Sequence, residues 1–155
     1  MTMTRVSAAT TDERHSRVFY RSRTVSRYML AIAYAFVGVA HIRSPGTFLA
    51  IIPGWVPYPD QTIFVTGLCE IAGAVALMTR RLRRLAGIML AAYAVCVYPA
   101  NIRHAIEGIS IGGQRLGWWY HGPRLALQPV LVWWALFAGE VTVWPFRRRS
   151  DRSLR

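Results

Sequence analysis

Residues 80–100 read RRLRRLAGIMLAAYAVCVYPA, a block of arginines followed by an apolar run that only Pro99 interrupts. Three more apolar runs occupy residues 28–42, 63–78 and 125–146. With their flanks, the runs approach the ~20 residues that a helix needs to cross a bilayer. The sequence therefore predicts an all-α integral membrane protein, a four-helix bundle with spans at about residues 25–42, 60–79, 83–103 and 123–145.

The composition agrees with this class. Of the 155 residues, 54% are hydrophobic without counting the twelve glycines, and 17% are charged, whereas soluble domains average about 45–50% apolar residues with glycine included and ~25% charged residues. Such a chain is too apolar for intrinsic disorder. We predict three segments: a disordered basic tail at 1–24, a transmembrane domain at 25–145 and a second basic tail at 146–155.

The arginines predict the orientation. The chain has a net charge of +12 and no lysine, and residues 5–27, 80–84 and 147–155 hold six, four and five of its nineteen arginines. With four spans, these blocks share one side of the membrane, and the positive-inside rule assigns that side to the cytoplasm. We predict a multi-pass protein of the cell inner (cytoplasmic) membrane with both termini cytoplasmic. Its arginines contact anionic lipid, and the charge requires no nucleic acid.

The first apolar run has a second interpretation. A basic leader, an apolar stretch at 28–40 and the small residues Gly38 and Ala40 also describe a secretory signal peptide. Cleavage after Ala40 would leave three spans in the same orientation. The charge pattern therefore does not separate a first span from a signal peptide.

Glu70 is the most unusual residue within the predicted spans. A carboxylate near the middle of a span costs about 2.5–3.5 kcal/mol, while each large apolar residue returns only about 0.3–0.6 kcal/mol. Thr62 and Thr66 precede it at helical spacing and extend a polar stripe. Two hypotheses remain open: a protonated Glu70 that bonds between helices, or a proton or ligand site.

Other polar residues are predicted at the same depth as Glu70, in the outer half of the bundle. His41 ends the first span, and Asn101 and His104 end the third; Arg124 and Gln128 begin the fourth. Depth alone leaves open whether they face one another or bond to headgroups. If they converge, the sequence predicts a polar cavity formed by Glu70, His41, Asn101, His104, Arg124 and Gln128.

Prolines and cysteines add further expectations. Four prolines and two aromatic residues at 44–60 predict a structured lid lying on the membrane. Pro99 and Pro129 either end helical turns or free carbonyls beside the cavity. Cys69 and Cys96 fall within the second and third spans, where they either pack or form a redox pair. The sequence contains no motif of a soluble enzyme and no metal site is predicted.

Five segments, in order, resemble the DoxX family of small bacterial membrane proteins. They are VGVAHIRSP at 37–45, IIPGWVP at 51–57, GLCEIAG at 67–73, YPANI at 98–102 and RLALQ at 124–128, followed by Trp133 and Trp134. The resemblance covers about residues 25–140. It implies an uncleaved four-helix protein associated with quinone-linked or oxidative-stress redox systems. His41, Glu70, Asn101 and Gln128 match the polar elements of that family, and Arg124 matches less closely. The loop at 107–121 is longer than in the compact family pattern.

Three functions follow as hypotheses, and whether the chain is catalytic stays open. The favoured one is a component of a membrane redox system that binds a quinone or a similar molecule. Glu70 and His41 would relay a proton, while Asn101, Gln128, Arg124 and His104 line the binding cavity. A bis-histidine haem on His41 with His104 or His121 is a variant of this hypothesis.

The other two hypotheses are a non-catalytic anchor or assembly factor and a small-molecule transporter. The predicted partners are membrane lipid, a redox protein and a second copy of the chain.

Overall fold

The computed structural model describes residues 3–110 and 114–144, with side chains from residue 18 onward. Within these residues the regular secondary structure consists of helices, with no strands, which confirms the all-α class. In chain order the helices are α1 (Met3–Arg43), α2 (Pro45–Leu49), α3 (Pro59–Met78), α4 (Arg83–Cys96), α5 (Tyr98–Glu107), α6 (Trp118–Ala126) and α7 (Gln128–Ala138).

Three helical segments are long and apolar enough to cross a membrane: Val18–Arg43, Pro59–Met78 and Arg83–Glu107. The third joins α4 and α5 across Val97. Helices α6 and α7 have only 9 and 11 residues. Backbone bonds nevertheless connect them, because Leu127 donates to the carbonyl of Pro123 and accepts from the N–H of Leu131, both at 2.9 Å.

The first and last helices have other limits than the sequence predicts. Helix α1 begins at Met3, inside the segment predicted as a disordered tail. The chain contains no proline or glycine before Gly38, so no helix-breaking residue separates this segment from the first apolar run. Helix α7 ends at Ala138 rather than near residue 145, since Glu140 adopts a left-handed backbone with φ of 62°. The tail predicted at 146–155 lies outside the described residues.

Small residues form the centre of the molecule and large apolar residues cover its outside. Helices α1 and α4 each pack against both α3 and α7. The buried core contains six alanines, at positions 31, 74, 86, 91, 135 and 138. Phe36 is 75% exposed, Ile32 68% and Val75 64%. Large apolar side chains on the surface are unfavourable in water and favourable in lipid, so this distribution agrees with a membrane protein.

Glycines allow α4 and the end of α7 to touch. A Cβ atom on Gly87 would lie 2.8 Å from the Cα of Gly139, and one on Gly139 would lie 2.6 Å from the Cα of Gly87. Both positions belong to small-residue pairs four apart in the sequence, Gly87 with Ala91 and Ala135 with Gly139. Such pairs let helix backbones approach closely.

Past the end of α7, Glu140 accepts hydrogen bonds from arginines of two other helices. Its Oε1 lies 2.7 Å from an Nη of Arg27 on α1 and 2.8 Å from an Nη of Arg83 on α4. The Nε of Arg27 also donates to the carbonyl of Ala138 at 3.0 Å, one of the last carbonyls of the helix. Arginines of two of the sequence blocks therefore lie together at this end of the molecule, and their side chains bond to groups at the C-terminal end of α7.

Acid should weaken this contact. Burial alone raises the pKa of Glu140, but the hydrogen bond from Arg83 and the charges of Arg83, Arg27 and Arg23 outweigh it and hold the pKa below its usual value. A carboxyl with a lowered folded pKa adds stability above its unfolded pKa of about 4.3, and that stability is lost as the pH falls through the folded pKa.

We therefore expect Glu140→Gln to remove part of the acid dependence of unfolding. The loss at pH 7 should not exceed about 1 kcal/mol, because the Glu140 side chain is 38% exposed and is screened by solvent. Denaturant titrations at pH 7 and below the unfolded pKa measure both quantities. An unchanged acid dependence in the variant would contradict the assigned contact.

Candidate functional site

A cavity of about 600 Å³ extends from the segment at 48–56 to Leu30 and Trp134. Side chains of all seven helices line it, together with the segment that follows α2. Most of these side chains are aliphatic or aromatic, and the polar ones fall into two groups. A largely apolar cavity of this size with a few polar groups is typical of a small-molecule site.

The first polar group is a pair between His41 on α1 and Glu70 on α3. The Nδ1 of His41 lies 2.7 Å from Oε2 of Glu70 and 3.1 Å from the carbonyl oxygen of Val37. The carbonyl oxygen of Val37 can only accept a hydrogen bond, so we assign the ring proton to Nδ1. The other ring nitrogen, Nε2, has no hydrogen-bond partner among the described residues and is not a buried atom. The His41 side chain lines the cavity. The pair therefore presents one free ring nitrogen.

Two glycines bring this pair together. Gly38 lies three residues before His41, and Gly67 lies three residues before Glu70, so each shares a helix face with its partner. A Cβ on Gly38 would lie 2.7 Å from the carbonyl oxygen of Gly67, and a Cβ on Gly67 would lie 2.8 Å from that of Gly38. Only glycine at both positions lets α1 and α3 cross this closely. The paired spacing, a glycine three residues before each polar residue, is the sequence signal for this contact.

The second polar group centres on Arg124 of α6. One Nη donates to Oδ1 of Asn101 at 2.6 Å, and the other lies 3.0 Å from Nδ1 of His104. The Nδ2 of Asn101 lies 3.5 Å from Oε1 of Gln128, a long hydrogen bond. Arg124, Asn101 and Gln128 line the cavity, whereas His104 lies behind Arg124. His104 therefore positions the guanidinium rather than lining the cavity.

Two backbone carbonyls near the helix breaks accept side-chain hydrogen bonds beside this group. Pro129 has no N–H to donate to the carbonyl of Leu125, and the hydroxyl of Tyr98 lies 3.5 Å from that oxygen. The Nε2 of Gln128 donates to the carbonyl of Ala94, just before the break between α4 and α5. The contact at Leu125 matches the freed carbonyl predicted for Pro129, whereas the carbonyl that Pro99 would free belongs to Val95 and not to Ala94.

Residues of the segment at 44–60, where the sequence predicts a lid, line the cavity. The ring of Phe48 lies on that of His41, with centroids 3.8 Å apart and planes at 32°. Arg103 on α5 donates to the carbonyl of Ile52 and, at 2.9 Å, to Glu107. Arg103 therefore ties the lid to α5, a role that its isolated position in the sequence does not indicate.

The structure brings most of the predicted site residues to one cavity. It is lined by His41, Glu70, Asn101, Arg124 and Gln128, as well as by the threonines of the polar stripe. Tyr34 and Tyr93 also line it, with ring centroids 6.2 Å apart, and their position near Glu70 is not evident from the sequence.

The described residues show neither a bonded cysteine pair nor His41 placed beside His104 or His121. Cys69 and Cys96 are both free and exposed. The ring of His104 contacts that of His121, with centroids 4.6 Å apart, while His41 bonds to Glu70 in the other group. Within the described residues, no three or more His, Cys, Asp or Glu side chains are grouped to hold a metal ion.

These features define an all-helical protein with three membrane-length apolar helices and a mainly apolar cavity bearing two polar groups. A family model described as "Domain of unknown function (DUF8561)" matches residues 30–139, and the chain belongs to that family. The matched segment contains every cavity residue. No curated protein and no solved structure matches the chain.

Proposed function

We propose that the chain is a four-helix protein of the cell inner membrane with both termini in the cytoplasm. Helices α6 and α7 together form the fourth crossing. Two observations support this arrangement: the continued backbone bonding through Leu127, and the arginines that gather with Glu140 at one end. Helix α1 has 41 residues, so at 1.5 Å per residue it is about twice as long as the ~30 Å hydrocarbon core and extends beyond it.

We further propose that the cavity binds a small, largely apolar molecule with an oxygen-bearing head, such as a quinone, as part of a membrane redox system. The resemblance to the DoxX family favours this role, although the DUF8561 match does not itself link the chain to DoxX. One observation carries the proposal: a His–Glu pair with a free ring nitrogen and a second polar group share one apolar cavity.

In this proposal the two polar groups have different tasks. Glu70 accepts a hydrogen bond from Nδ1 of His41 and holds the ring in one orientation. The free Nε2 of His41 then exchanges a proton with the oxygen of the bound molecule. Asn101 and Gln128 supply amide groups to the molecule's polar head, and Arg124 supplies its guanidinium. The electrons come from a partner redox protein.

Native mass spectrometry with lipid extraction tests the proposal. The gently purified parent should retain a quinone or another redox-active molecule, and Glu70→Gln should lose it, because an amide oxygen accepts a weaker hydrogen bond from His41 than a carboxylate does and no longer fixes the ring. Asp60→Asn is the matched control, since Asp60 is an exposed acid on the same helix. It should retain the molecule.

The opposite result would favour another function. If the parent and Glu70→Gln carry only bulk phospholipid and co-purify the same protein, the redox proposal is wrong and the anchor hypothesis replaces it.

A further inference from the structure

Arg124 contributes a positive charge to the cavity wall with only neutral hydrogen-bond partners. Asn101 is uncharged, and the His104 ring is neutral for a geometric reason. Its Nε2 lies 3.1 Å from the carbonyl oxygen of Ile109 and must donate there, while its Nδ1 accepts from Arg124. In the described part of the chain no carboxylate bonds to Arg124.

The two acids nearest the cavity have partners of their own, and Asp60 at the start of α3 is exposed and does not line the cavity. Glu70 bonds to His41 and Glu107 bonds to Arg103. The charge of Arg124 is therefore not neutralised by a direct ion pair. A charge held without a counter-ion beside an apolar cavity is unfavourable, which makes it a site for an anion.

The guanidinium also keeps unused donors. It has five N–H groups, and its two hydrogen bonds occupy two of them. Its Nε, which has no hydrogen-bond partner among the described residues, is not a buried atom. The Arg124 side chain lines the cavity. The remaining N–H groups are thus open to a molecule in the cavity, and their planar arrangement suits an oxyanion.

We propose that the cavity selects a molecule whose head is negatively charged and pairs with Arg124. The class is an apolar body with one acidic oxygen group: an ionised hydroxyl on a quinone ring, or a carboxylate on a hydrocarbon chain. Leu30, Leu131 and Trp134 offer the apolar body a lining. This inference rests on the proposed binding function and narrows its ligand.

Two matched pairs of probes test the charge. The first pair is a 3-alkyl-2-hydroxy-1,4-naphthoquinone, which is ionised at neutral pH, and its neutral 2-methoxy ether. The second pair is oleate and oleyl alcohol. Affinities are measured by equilibrium titration of the protein in nanodiscs of uncharged phosphatidylcholine. In at least one pair we expect the anion to bind the parent roughly tenfold or more tightly than its neutral counterpart. The pair that shows this preference tells whether the ligand is a hydroxyquinone or a fatty carboxylate.

Variants of Arg124 locate the effect. Arg124→Gln should abolish the preference for the anion, and Arg124→Lys should keep most of it. Arg43→Gln is the control, because Arg43 is an exposed arginine at the same end of the molecule that does not line the cavity. It should keep the full preference.

The outcomes separate this inference from the proposed function. Equal affinity of the anion and its neutral twin for the parent overturns the inference while leaving a binding cavity, and this comparison needs no variant to fold. A preference that survives in Arg124→Gln also overturns it. Absence of binding by all four probes overturns both the inference and the proposed function.

Discussion

Gly67→Ala is expected to lower the free energy of unfolding by about 1–3 kcal/mol, the usual cost of overpacking. Helix propensity alone would favour alanine by up to about 1 kcal/mol. The new Cβ would, however, lie 2.8 Å from the carbonyl oxygen of Gly38 and 3.0 Å from the Cβ of His41. A backbone oxygen cannot move aside as a flexible side chain can, so α1 and α3 must separate. Unfolding in mixed micelles, followed by tryptophan fluorescence, measures the loss.

Gly46→Ala is the matched control for this prediction. Gly46 lies within α2, and a Cβ there would meet nothing within 4 Å. The same substitution should therefore leave the stability unchanged or raise it by no more than about 1 kcal/mol. If Gly67→Ala is as stable as Gly46→Ala, helices α1 and α3 do not cross at these glycines, and the geometry of the His41–Glu70 pair is wrong as well.

The composition of the chain was sufficient to predict its fold class. Apolar runs between arginine blocks indicate membrane helices because hydrocarbon has no other partner for backbone groups. The ends of the helices depend on less visible causes. Residues 3–24 contain no proline or glycine, and Glu140, whose left-handed backbone follows the end of α7, bonds to arginines distant in the chain.

The candidate site was predictable in its members but not in its pairings. The cost of a carboxylate in a span identified Glu70, and equal depth grouped the other polar residues with it. Depth does not specify the rotation of a helix about its axis. Which residues pair is decided by contacts such as Gly38 with Gly67, and by carbonyls that accept from Tyr98 and Gln128.

A double-mutant cycle on His41 and Glu70 should show a coupling energy of about 1.5–3 kcal/mol, the range for hydrogen bonds that involve a charged group. His41→Ala, Glu70→Ala and the double variant are unfolded under the same conditions as the parent. Each single variant leaves the other partner beside an apolar cavity without its bond, whose length is 2.7 Å in the parent. The double variant should therefore lose less stability than the sum of the two single variants.

The size of this coupling separates the two hypotheses for Glu70. Neutral hydrogen bonds between membrane helices average about 0.6 kcal/mol and reach about 1.7 kcal/mol at most. A coupling near that average would mean that Glu70 only bonds between helices, as a protonated side chain would, and it would contradict the proton relay. Glu70→Ala with His104→Ala is the control pair, because no contact joins these residues; their effects should add to within about 0.5 kcal/mol. A coupling above about 1.7 kcal/mol would exceed that of neutral hydrogen bonds and is the outcome that the proposed proton relay requires.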